Sequence, residues 1–215
     1  MCKRFALDLD WNAIAAQFSV AEEDVRGDVL PRPSYNIAPT QNIAVIAQGK
    51  DGHRHLTGAY WSLIPSWSSG KTLPYPTYNA RVESAHVKST FAESTRSRRT
   101  IIPASGYYEW RGRRPFYFSP EMESTALAMA GLYSWRRPSA ASLWQLTATI
   151  LTCPAVDGPA TVHDRMPLLV PAVRSTVSGK KRRSAAELEQ PHGLLAVDWT
   201  CLLYTSPSPR DISGS

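Results

Sequence analysis

Short runs of apolar, aromatic and β-branched residues, separated by Gly and Pro, make up most of the chain between residues 43 and 151. Runs of this length and composition favour β-strands over helices. Strands are predicted at Ile43–Ala47, Gly58–Leu63, Arg99–Ile102, Gly106–Trp110, Pro115–Phe118, Ala126–Ser134 and Leu143–Leu151. Arg111-Gly112-Arg113 has the composition of a hairpin turn between two of these strands.

Helical periodicity is confined to short segments. Asp10 can cap a helix whose apolar residues recur at helical spacing, at Ile14, Ala15 and Phe18. Residues 82–95 can supply one or two more short helices, whereas residues 20–34 are acidic and then Pro-rich and are predicted to be a loop. The pattern therefore predicts an α+β fold with an antiparallel, barrel-like β core and a few short helices.

Length and composition restrict the class of protein. The 215 residues are 43% hydrophobic and 20% charged, which suffices for one domain with a core and excludes collagen-like and wholly disordered chains. The longest apolar stretches fall far short of the roughly 20 residues that a membrane span needs. Charged residues crowd the first ten positions, so we expect no signal peptide and an intracellular protein, cytoplasmic or nucleoid-associated, or nuclear in a eukaryote.

The net charge of +6 fits a polyanionic partner, and it also fits an ordinary basic enzyme. The three cysteines, Cys2, Cys153 and Cys201, are too few and too far apart for a disulfide framework or a zinc site. His53 and His55 can face one way on a strand, but no third ligand accompanies them, so no metal site is predicted.

The end of the chain differs from the rest in composition and periodicity. Residues 173–215 include a polar and basic stretch and finish with CLLYTSPSPRDISGS, which has no usable periodicity. We interpret residues 1–172 as the functional domain and residues 173–215 as an atypical tail. Either this tail is disordered or it replaces the native C-terminus.

Cys2 is the first residue that could carry chemistry. Removal of Met1 would leave a thiol, with an ordinary pKa of about 8.5, beside an α-amine of about 7.7–8.0 on one residue. Such a 1,2-aminothiol condenses with an aldehyde to an imine and then closes to a thiazolidine. It could also act as an N-terminal nucleophile, with the amine as base. The alternative is that Cys2 is an incidental buried residue.

Two further residues could transfer protons. His163 stands in a polar loop before a predicted apolar strand, Leu168–Val170, and can act as an acid or base near neutral pH. Glu109 shares a strand face with Tyr107, and aromatic surroundings raise the pKa of a carboxyl group. A hydrogen-bonded structural His and a solvent-facing Glu are the respective alternatives.

Other residues suit a nucleic-acid partner. Asn79 can orient a carbonyl or amine, or else cap a helix, and Arg81 can hold a phosphate or be solvated. Trp67 can stack on a base or fill the core. Two arginine groups could follow a phosphate backbone or merely form solvated faces; they are Arg96, Arg98 and Arg99, and Arg111, Arg113 and Arg114.

The order of six motifs is more specific than any one of them. They are Met1-Cys2-x-Arg4-Phe5, Tyr35-Asn36-Ile37-Ala38-Pro39, Trp61-x-x-x-Pro65-x-Trp67, Asn79-Ala80-Arg81-Val82-Glu83, Gly106-Tyr107-Tyr108-Glu109-Trp110 and His163-Asp164-Arg165-Met166-Pro167. Together they resemble the SRAP family, the SOS response-associated peptidase domain, over residues 1–172. Members of this family shield abasic sites in single-stranded DNA.

The resemblance implies a single domain with a β-barrel-like core and a basic cleft for single-stranded DNA. It implies autoproteolytic loss of Met1 and a lyase-like reaction in which Cys2 forms a thiazolidine crosslink with an abasic site. It also implies that Asn79 holds the N-terminal residue and the sugar, that Glu109 transfers protons during imine formation, and that His163 opens the deoxyribose ring and assists reversal. The residues that match family positions at the DNA are Arg4, Asn36, Pro39, Trp67, Arg81, Trp110 and Arg165.

From this resemblance we expect a monomer that recognises the lesion with little sequence preference, without a metal, a nucleotide cofactor or a membrane partner. Lys3 departs from the Gly that is common after the cysteine, and its side chain must point out of a tight site. Two alternatives stay open. One is a thiol peptidase or amidohydrolase that uses Cys2 and His163, and the other is a non-covalent module that binds single-stranded DNA.

Overall fold

The structure is a computed structural model that describes residues 2–68, 73–120, 124–137 and 141–170, together with the backbone of residues 210–211. Its strands are β1 (Arg4–Leu7), β2 (Ser34–Ile37), β3 (Asn42–Gln48), β4 (Arg54–Trp61), β5 (Asn79–Arg81), β6 (Arg99–Ala104), β7 (Gly106–Arg111), β8 (Arg114–Phe118), β9 (Leu127–Arg136), β10 (Gln145–Pro154), β11 (Arg165–Pro167) and β12 (Arg210–Asp211). Its α-helices are α1 (Trp11–Phe18), α2 (Val82–Ala85), α3 (Ser89–Ser97) and α4 (Asp157–Ala160), and a 3₁₀ turn spans Glu22–Asp24.

Five strands close into a barrel. Around it run β10, β4, β3, β6 and β9, and the pairing of β9 with β10 closes the ring. All of these pairs are antiparallel except β4 with β10. Because a closed sheet has no unpaired edge, the barrel strands can be nearly all apolar on their inner faces. This confirms the predicted α+β fold with a barrel-like core.

A second sheet, in the order β12, β8, β7, β1, β2, is antiparallel throughout and packs against the barrel. The inner faces of both sheets contribute to one continuous hydrophobic cluster. Phe5 of β1 meets Trp61 of β4 edge to face, with ring centroids 5.1 Å apart. Buried aromatic pairs of this geometry add to the area that they bury, so this contact ties the N-terminal strand firmly to the barrel.

The C-terminal half of β10 pairs with two short strands, one on each of its edges. β5 pairs in parallel with it at Ile150–Thr152, and β11 pairs antiparallel at Thr152–Pro154. The indole of Trp61 also donates to the carbonyl of Tyr78 over 2.8 Å, which fixes the chain where it enters β5. β10 therefore determines where the residues of β5 and β11 stand.

The predicted helices are confirmed. The Asp10 carboxylate accepts from the backbone N–H groups of Asn12 and Ala13, at 2.9 and 3.3 Å, and so caps α1. The three apolar residues that predicted this helix are all buried. Residues 82–95 supply α2 and most of α3. The Arg111-Gly112-Arg113 turn is confirmed too, since Gly112 adopts the left-handed conformation at φ +64°.

Some predictions were incomplete or wrong. The seven predicted strands form. β4 was predicted at residues 58–63 but runs from Arg54 to Trp61, because the mostly polar residues before Gly58 also pair with β3. Leu168–Val170 is not a strand; the strand is the preceding β11, and Leu169 makes only a single bridge to Met129. Residues 20–34, predicted to be a loop, contain the 3₁₀ turn.

The predicted tail, residues 173–215, lies outside the described residues except for β12, whose backbone pairs with β8. The boundary at residue 172 stays a prediction. Among the helices of the described residues, none is both long and apolar enough to cross a membrane.

Candidate active site and nucleic-acid surface

Cys2 lies immediately before β1 and is fully buried. The amide nitrogen of Asn79, on β5, donates to the Cys2 carbonyl oxygen over 2.6 Å. The thiol points toward the Arg4 carbonyl, at 3.7 Å. Burial raises the pKa of the Cys2 thiol, and the nearby Glu109 carboxylate raises it further. The resting thiol is therefore protonated, and its backbone is held from the barrel side.

The side-chain oxygen of Asn79, unlike the nitrogen, is not used. It is buried and has no hydrogen-bond partner among the described residues. A buried acceptor without a donor costs about 1–3 kcal/mol. Asn79 therefore has an acceptor directed into the site, next to the residue that its nitrogen already holds.

Glu109 projects from β7 into the space beside Cys2. It is only 2% exposed, so the alternative of a solvent-facing carboxylate is wrong. Burial raises the pKa of Glu109, while the positive charge at the amino terminus of the chain and that of His163 lower it in part. A buried carboxyl group with a raised pKa holds its proton to higher pH than an exposed one, which suits general acid and base chemistry.

His163 stands between α4 and β11 and is partly buried. Its Nδ1 accepts from the backbone N–H of Arg165 over 2.9 Å and also lies 2.7 Å from the Asp164 carboxylate. One nitrogen cannot make both bonds at once. Nδ1 accepts from Arg165 when it carries no proton and donates to Asp164 when it carries one. The position of the ring proton therefore decides which of the two bonds His163 makes.

The structure brings Cys2, Asn79, Glu109 and His163 together from four distant parts of the chain. Cys2 contacts Asn79 directly, and Glu109 interacts electrostatically with both Cys2 and His163. The site therefore combines four kinds of group: a thiol, a protonatable carboxyl group, an imidazole and an amide with an unused acceptor. Their roles, which the resemblance implied, stay predictions.

Arg165 makes an internal ion pair that the sequence did not predict. Its two terminal nitrogens bind both oxygens of Glu83, at 2.6 and 3.0 Å, and one of them also donates to the Thr152 carbonyl over 2.6 Å. Arg165 lowers the pKa of Glu83. The ion pair holds β11 against α2, so Arg165 stabilises the strand that follows His163. Arg165 is also one of the residues that match family positions at the DNA. The motif letters include Glu83, but nothing in them indicates its partner.

Four predicted DNA residues lie on or next to the second sheet. Arg4 donates to the Asn36 side chain over 3.1 Å, which joins β1 to β2. Pro39 follows β2 and is partly buried, and Trp110 is partly buried near Tyr108, with ring centroids 6.4 Å apart. Lys3 is exposed, as its expected outward direction requires.

A groove of about 430 Å³ begins at Asn79 and continues along α3. Arg81 shares one face of β5 with Asn79 because Ala80, between them, is buried. The remaining lining residues include Tyr75, Lys88 and Phe91, which belong to none of the sequence motifs. An aromatic ring and two cations along an open groove suit a negatively charged chain with flat groups.

Trp67 is 58% exposed, so the alternative that it fills the core is wrong. Two hydrogen bonds anchor the part of its loop that precedes Trp67. The Ile64 N–H donates to the Thr147 hydroxyl over 3.0 Å, and the Ser66 hydroxyl donates to Glu93 of α3 over 2.9 Å. An exposed indole on a fixed loop loses little entropy when it stacks on a flat ligand.

The two histidines singled out earlier lie elsewhere. His53 and His55 each place Nδ1 3.1 Å from the Asp24 carboxylate, which fastens the 3₁₀ turn to the start of β4. Across the part of the chain that the structure describes, no group of three or more His, Cys, Asp or Glu side chains is placed to hold a metal ion. Cys153 is buried and forms no disulfide with another described residue, and Cys201 lies outside the described residues.

Comparison with known proteins identifies one family. The profile described as SOS response associated peptidase (SRAP) matches residues 1–189. The chain is 36% identical over 176 residues to the abasic site processing protein YoqW of Bacillus subtilis, covering 79% of this chain and 76% of that protein. It is 28% identical over 200 residues to the abasic site processing protein YedK of Escherichia coli, covering 86% and 85%.

Solved structures agree with this comparison. A crystal structure of a protein from Bordetella bronchiseptica superposes with a TM-score of 0.66 at 25% identity, covering 80% of this chain and 84% of that one. The barrel with its flanking sheet is thus a fold that has been solved before.

Proposed function

This chain belongs to the SOS response associated peptidase family, and we propose that it processes abasic sites in DNA by capturing them covalently through Cys2. The DNA is single-stranded, and the product is a thiazolidine crosslink. The relatives named as abasic site processing proteins support the general activity. The chemistry and the residue roles are inferred from the site.

One observation carries the proposal. Cys2, the residue that becomes N-terminal when Met1 is removed, is buried against Asn79 and Glu109. Both Cys2 and Glu109 also interact with the positive charge of the amino terminus. Only an N-terminal cysteine combines an amine and a thiol on one residue, and this one has a buried carboxyl group beside it.

The first step is removal of Met1. Hydrolysis adds one water molecule across the Met1–Cys2 peptide bond and releases methionine, leaving the α-amine of Cys2. Its pKa of about 7.7–8.0 leaves a substantial neutral fraction near pH 7.5, unlike a lysine at about 10.4. The liberated amine can donate to the unused oxygen of Asn79, which would fix its direction of attack.

Capture then proceeds through an imine. His163 protonates the ring oxygen of the abasic sugar while the anomeric hydroxyl loses its proton to water, so the ring C–O bond breaks and the hemiacetal opens to an aldehyde. The Cys2 amine adds to the aldehyde carbon, and protonated Glu109 assists loss of the hydroxyl as water. The thiol adds to the imine carbon and passes its proton to the Glu109 carboxylate. One aldehyde and one aminothiol yield one thiazolidine and one water, without an oxidant or reductant.

The raised pKa of the thiol favours this order of steps. A peptidase that attacks with a thiolate needs a lowered thiol pKa, whereas burial and Glu109 raise that of Cys2. In the imine route the amine attacks first, and the thiol reacts only after Glu109 has become a carboxylate able to accept its proton. The buried thiol therefore suits aldehyde capture better than amide hydrolysis.

The DNA strand would lie along the groove of Arg81 and the adjacent exposed aromatics. Arg4 and Arg81 would contact phosphates, which position the strand without reading its sequence. Trp67 and Trp110 would stack on bases of any kind. We therefore expect selectivity for the lesion with little preference for sequence. The protein acts as a monomer within the cell and needs no metal.

Intact-mass spectrometry tests the proposal. The protein is measured alone and after incubation with a single-stranded oligonucleotide that carries one abasic site, and an undamaged oligonucleotide is the control. We expect loss of Met1 and then a denaturation-resistant adduct whose mass is that of the processed protein plus one oligonucleotide minus one water. Cys2→Ala should abolish the adduct, whereas Cys153→Ala, which removes the other buried cysteine, should keep it. An adduct that forms when the amino terminus is blocked would refute the mechanism.

A further inference from the structure

Two arginines flank one aromatic ring at the tip of the β7–β8 hairpin. The guanidinium carbons of Arg111 and Arg114 lie 5.1 and 5.4 Å from the centroid of the Phe116 ring. Arg111 and Arg114 are directly opposite each other across the two strands. The ring is 8% exposed, while both arginines are exposed. Phe116 thus supports two guanidinium groups that face solvent side by side.

This pair lies on the same face of the sheet as the candidate active site. Phe116 is the direct cross-strand partner of Glu109, so their side chains point to one side of the sheet. Arg111 follows Glu109 by two residues, which returns its side chain to that face about 6.6 Å further along the strand. The arginines therefore stand at the rim of the pocket that holds Glu109.

We propose that Arg111 and Arg114 form a clamp, supported by Phe116, for one backbone phosphate of the DNA strand that enters the active site. The proposal rests on the proposed function and adds a binding site to it. The motif that carries Glu109 ends at Trp110, so this site lies just beyond it in the sequence. The alternative, given with the sequence, is that these arginines only form a solvated face.

The chemistry favours a phosphate. A guanidinium group presents paired N–H donors that match the oxygens of a phosphodiester. Contact with the aromatic face holds each side chain in place and stabilises its charge, so less conformational entropy is lost when an anion binds. Two such groups facing each other across a hairpin can bind the two non-bridging oxygens of a single phosphate.

The third arginine of the hairpin provides a matched control. Arg113 is exposed in the same turn, but its position falls between the paired residues Arg111 and Arg114 and it has no cross-strand partner in the register. Replacing Arg113 or Arg111 by Gln removes the same charge from the same turn. A general electrostatic effect lowers DNA binding equally in both variants, and a clamp does not.

The experiment measures non-covalent binding of an undamaged single-stranded oligonucleotide by fluorescence anisotropy between 50 and 300 mM salt. A Cys2→Ala background prevents capture. Arg111→Gln is expected to weaken binding about tenfold at the lowest salt. The slope of log affinity against log salt should fall by about 0.7, the value for one phosphate contact to a single strand. Arg113→Gln should change the slope by less than a third of that.

Further variants separate a clamp from a structural role. The double variant with Arg111→Gln and Arg114→Gln should lower the salt slope only slightly more than Arg111→Gln alone, since both residues bind one phosphate. Melting temperatures should stay within about 2 °C of the parent, because the arginines are exposed. Equal effects of Arg111→Gln and Arg113→Gln, or an unchanged slope in the double variant, would overturn the clamp. Failure of the parent chain to capture an abasic oligonucleotide would instead overturn the proposed function.

Discussion

The hydrogen bond from Asn79 to the Cys2 carbonyl offers the sharpest test of how the site is organised. Asn79→Ala removes the donor and leaves a carbonyl oxygen without its 2.6 Å partner. A net hydrogen bond is worth about 0.5–1.5 kcal/mol, and stranding a buried acceptor costs about 1–3 kcal/mol. If about 1.4–2.8 kcal/mol of this is lost from the transition state, crosslinking slows by about 10- to 100-fold.

The assay is a time course of crosslinking under single-turnover conditions, resolved on denaturing gels. It uses an abasic single-stranded oligonucleotide at saturating protein, so that weaker DNA binding does not affect the rate. Asn42→Ala is the matched control. The Asn42 amide also donates to a backbone carbonyl, that of Val29 over 2.9 Å, but at an exposed position on β3. We expect Asn42→Ala to crosslink at the parent rate.

Two results would refute this reasoning. A rate for Asn79→Ala within twofold of the parent, at an unchanged melting temperature, would mean that the bond does not orient Cys2 in the reaction. An equal loss of rate in Asn42→Ala would mean that the effect comes from general destabilisation. Loss of Met1 is checked by mass in each variant, because a retained Met1 blocks the amine and would mimic a slow reaction.

Glu109→Gln should slow crosslinking at least tenfold. It should also flatten the pH dependence of stability, since the raised pKa keeps Glu109 protonated in the folded state above its ordinary value near 4.3 and so makes stability fall as pH rises; melting curves from pH 4 to 8 measure this. Glu83→Gln breaks the ion pair with Arg165 and should destabilise the fold by about 1–2 kcal/mol at pH 7. The loss is no larger because Glu83 is 45% exposed, so solvent screens the pair. The lowered pKa of Glu83 means that this difference disappears as pH falls through the folded pKa, as denaturant unfolding at successively lower pH will show. Trp67→Ala should weaken binding of undamaged single strands by about 1–3 kcal/mol, whatever their sequence, without lowering the melting temperature.

Local patterns in the sequence predicted most of the regular elements. The Asp10 cap and the spacing of Ile14 and Phe18 defined α1, because capping and helical periodicity act over a few residues. The strands that were missed are two to four residues long, and β5 and β11 are examples. Their own residues do not specify them, since each is held mainly by pairing with β10, more than ten residues away in β11 and about seventy in β5.

The candidate site was predictable in part. The motifs named Cys2, Asn79, Glu109 and His163, and the resemblance to the SRAP family that they supported is confirmed. The residue types alone left open whether Glu109 faced solvent, which only its position in the fold decides. The Glu83–Arg165 pair and the raised pKa of the Cys2 thiol could not be predicted, because both depend on contacts between residues distant in sequence.

The dependence of the site on β10 has a consequence for the order of events during synthesis. Cys2 leaves the ribosome first, whereas Asn79 is fixed only when β10 has formed and His163 only when β11 has paired with it. At about 5–20 residues per second, the ribosome needs about 8–30 s to add the residues between Cys2 and His163. During that interval an unblocked Cys2 would meet every small aldehyde in the cell with nothing to select among them. Because Met1 blocks the amine, its removal by the completed site would confine the reactive aminothiol to folded molecules.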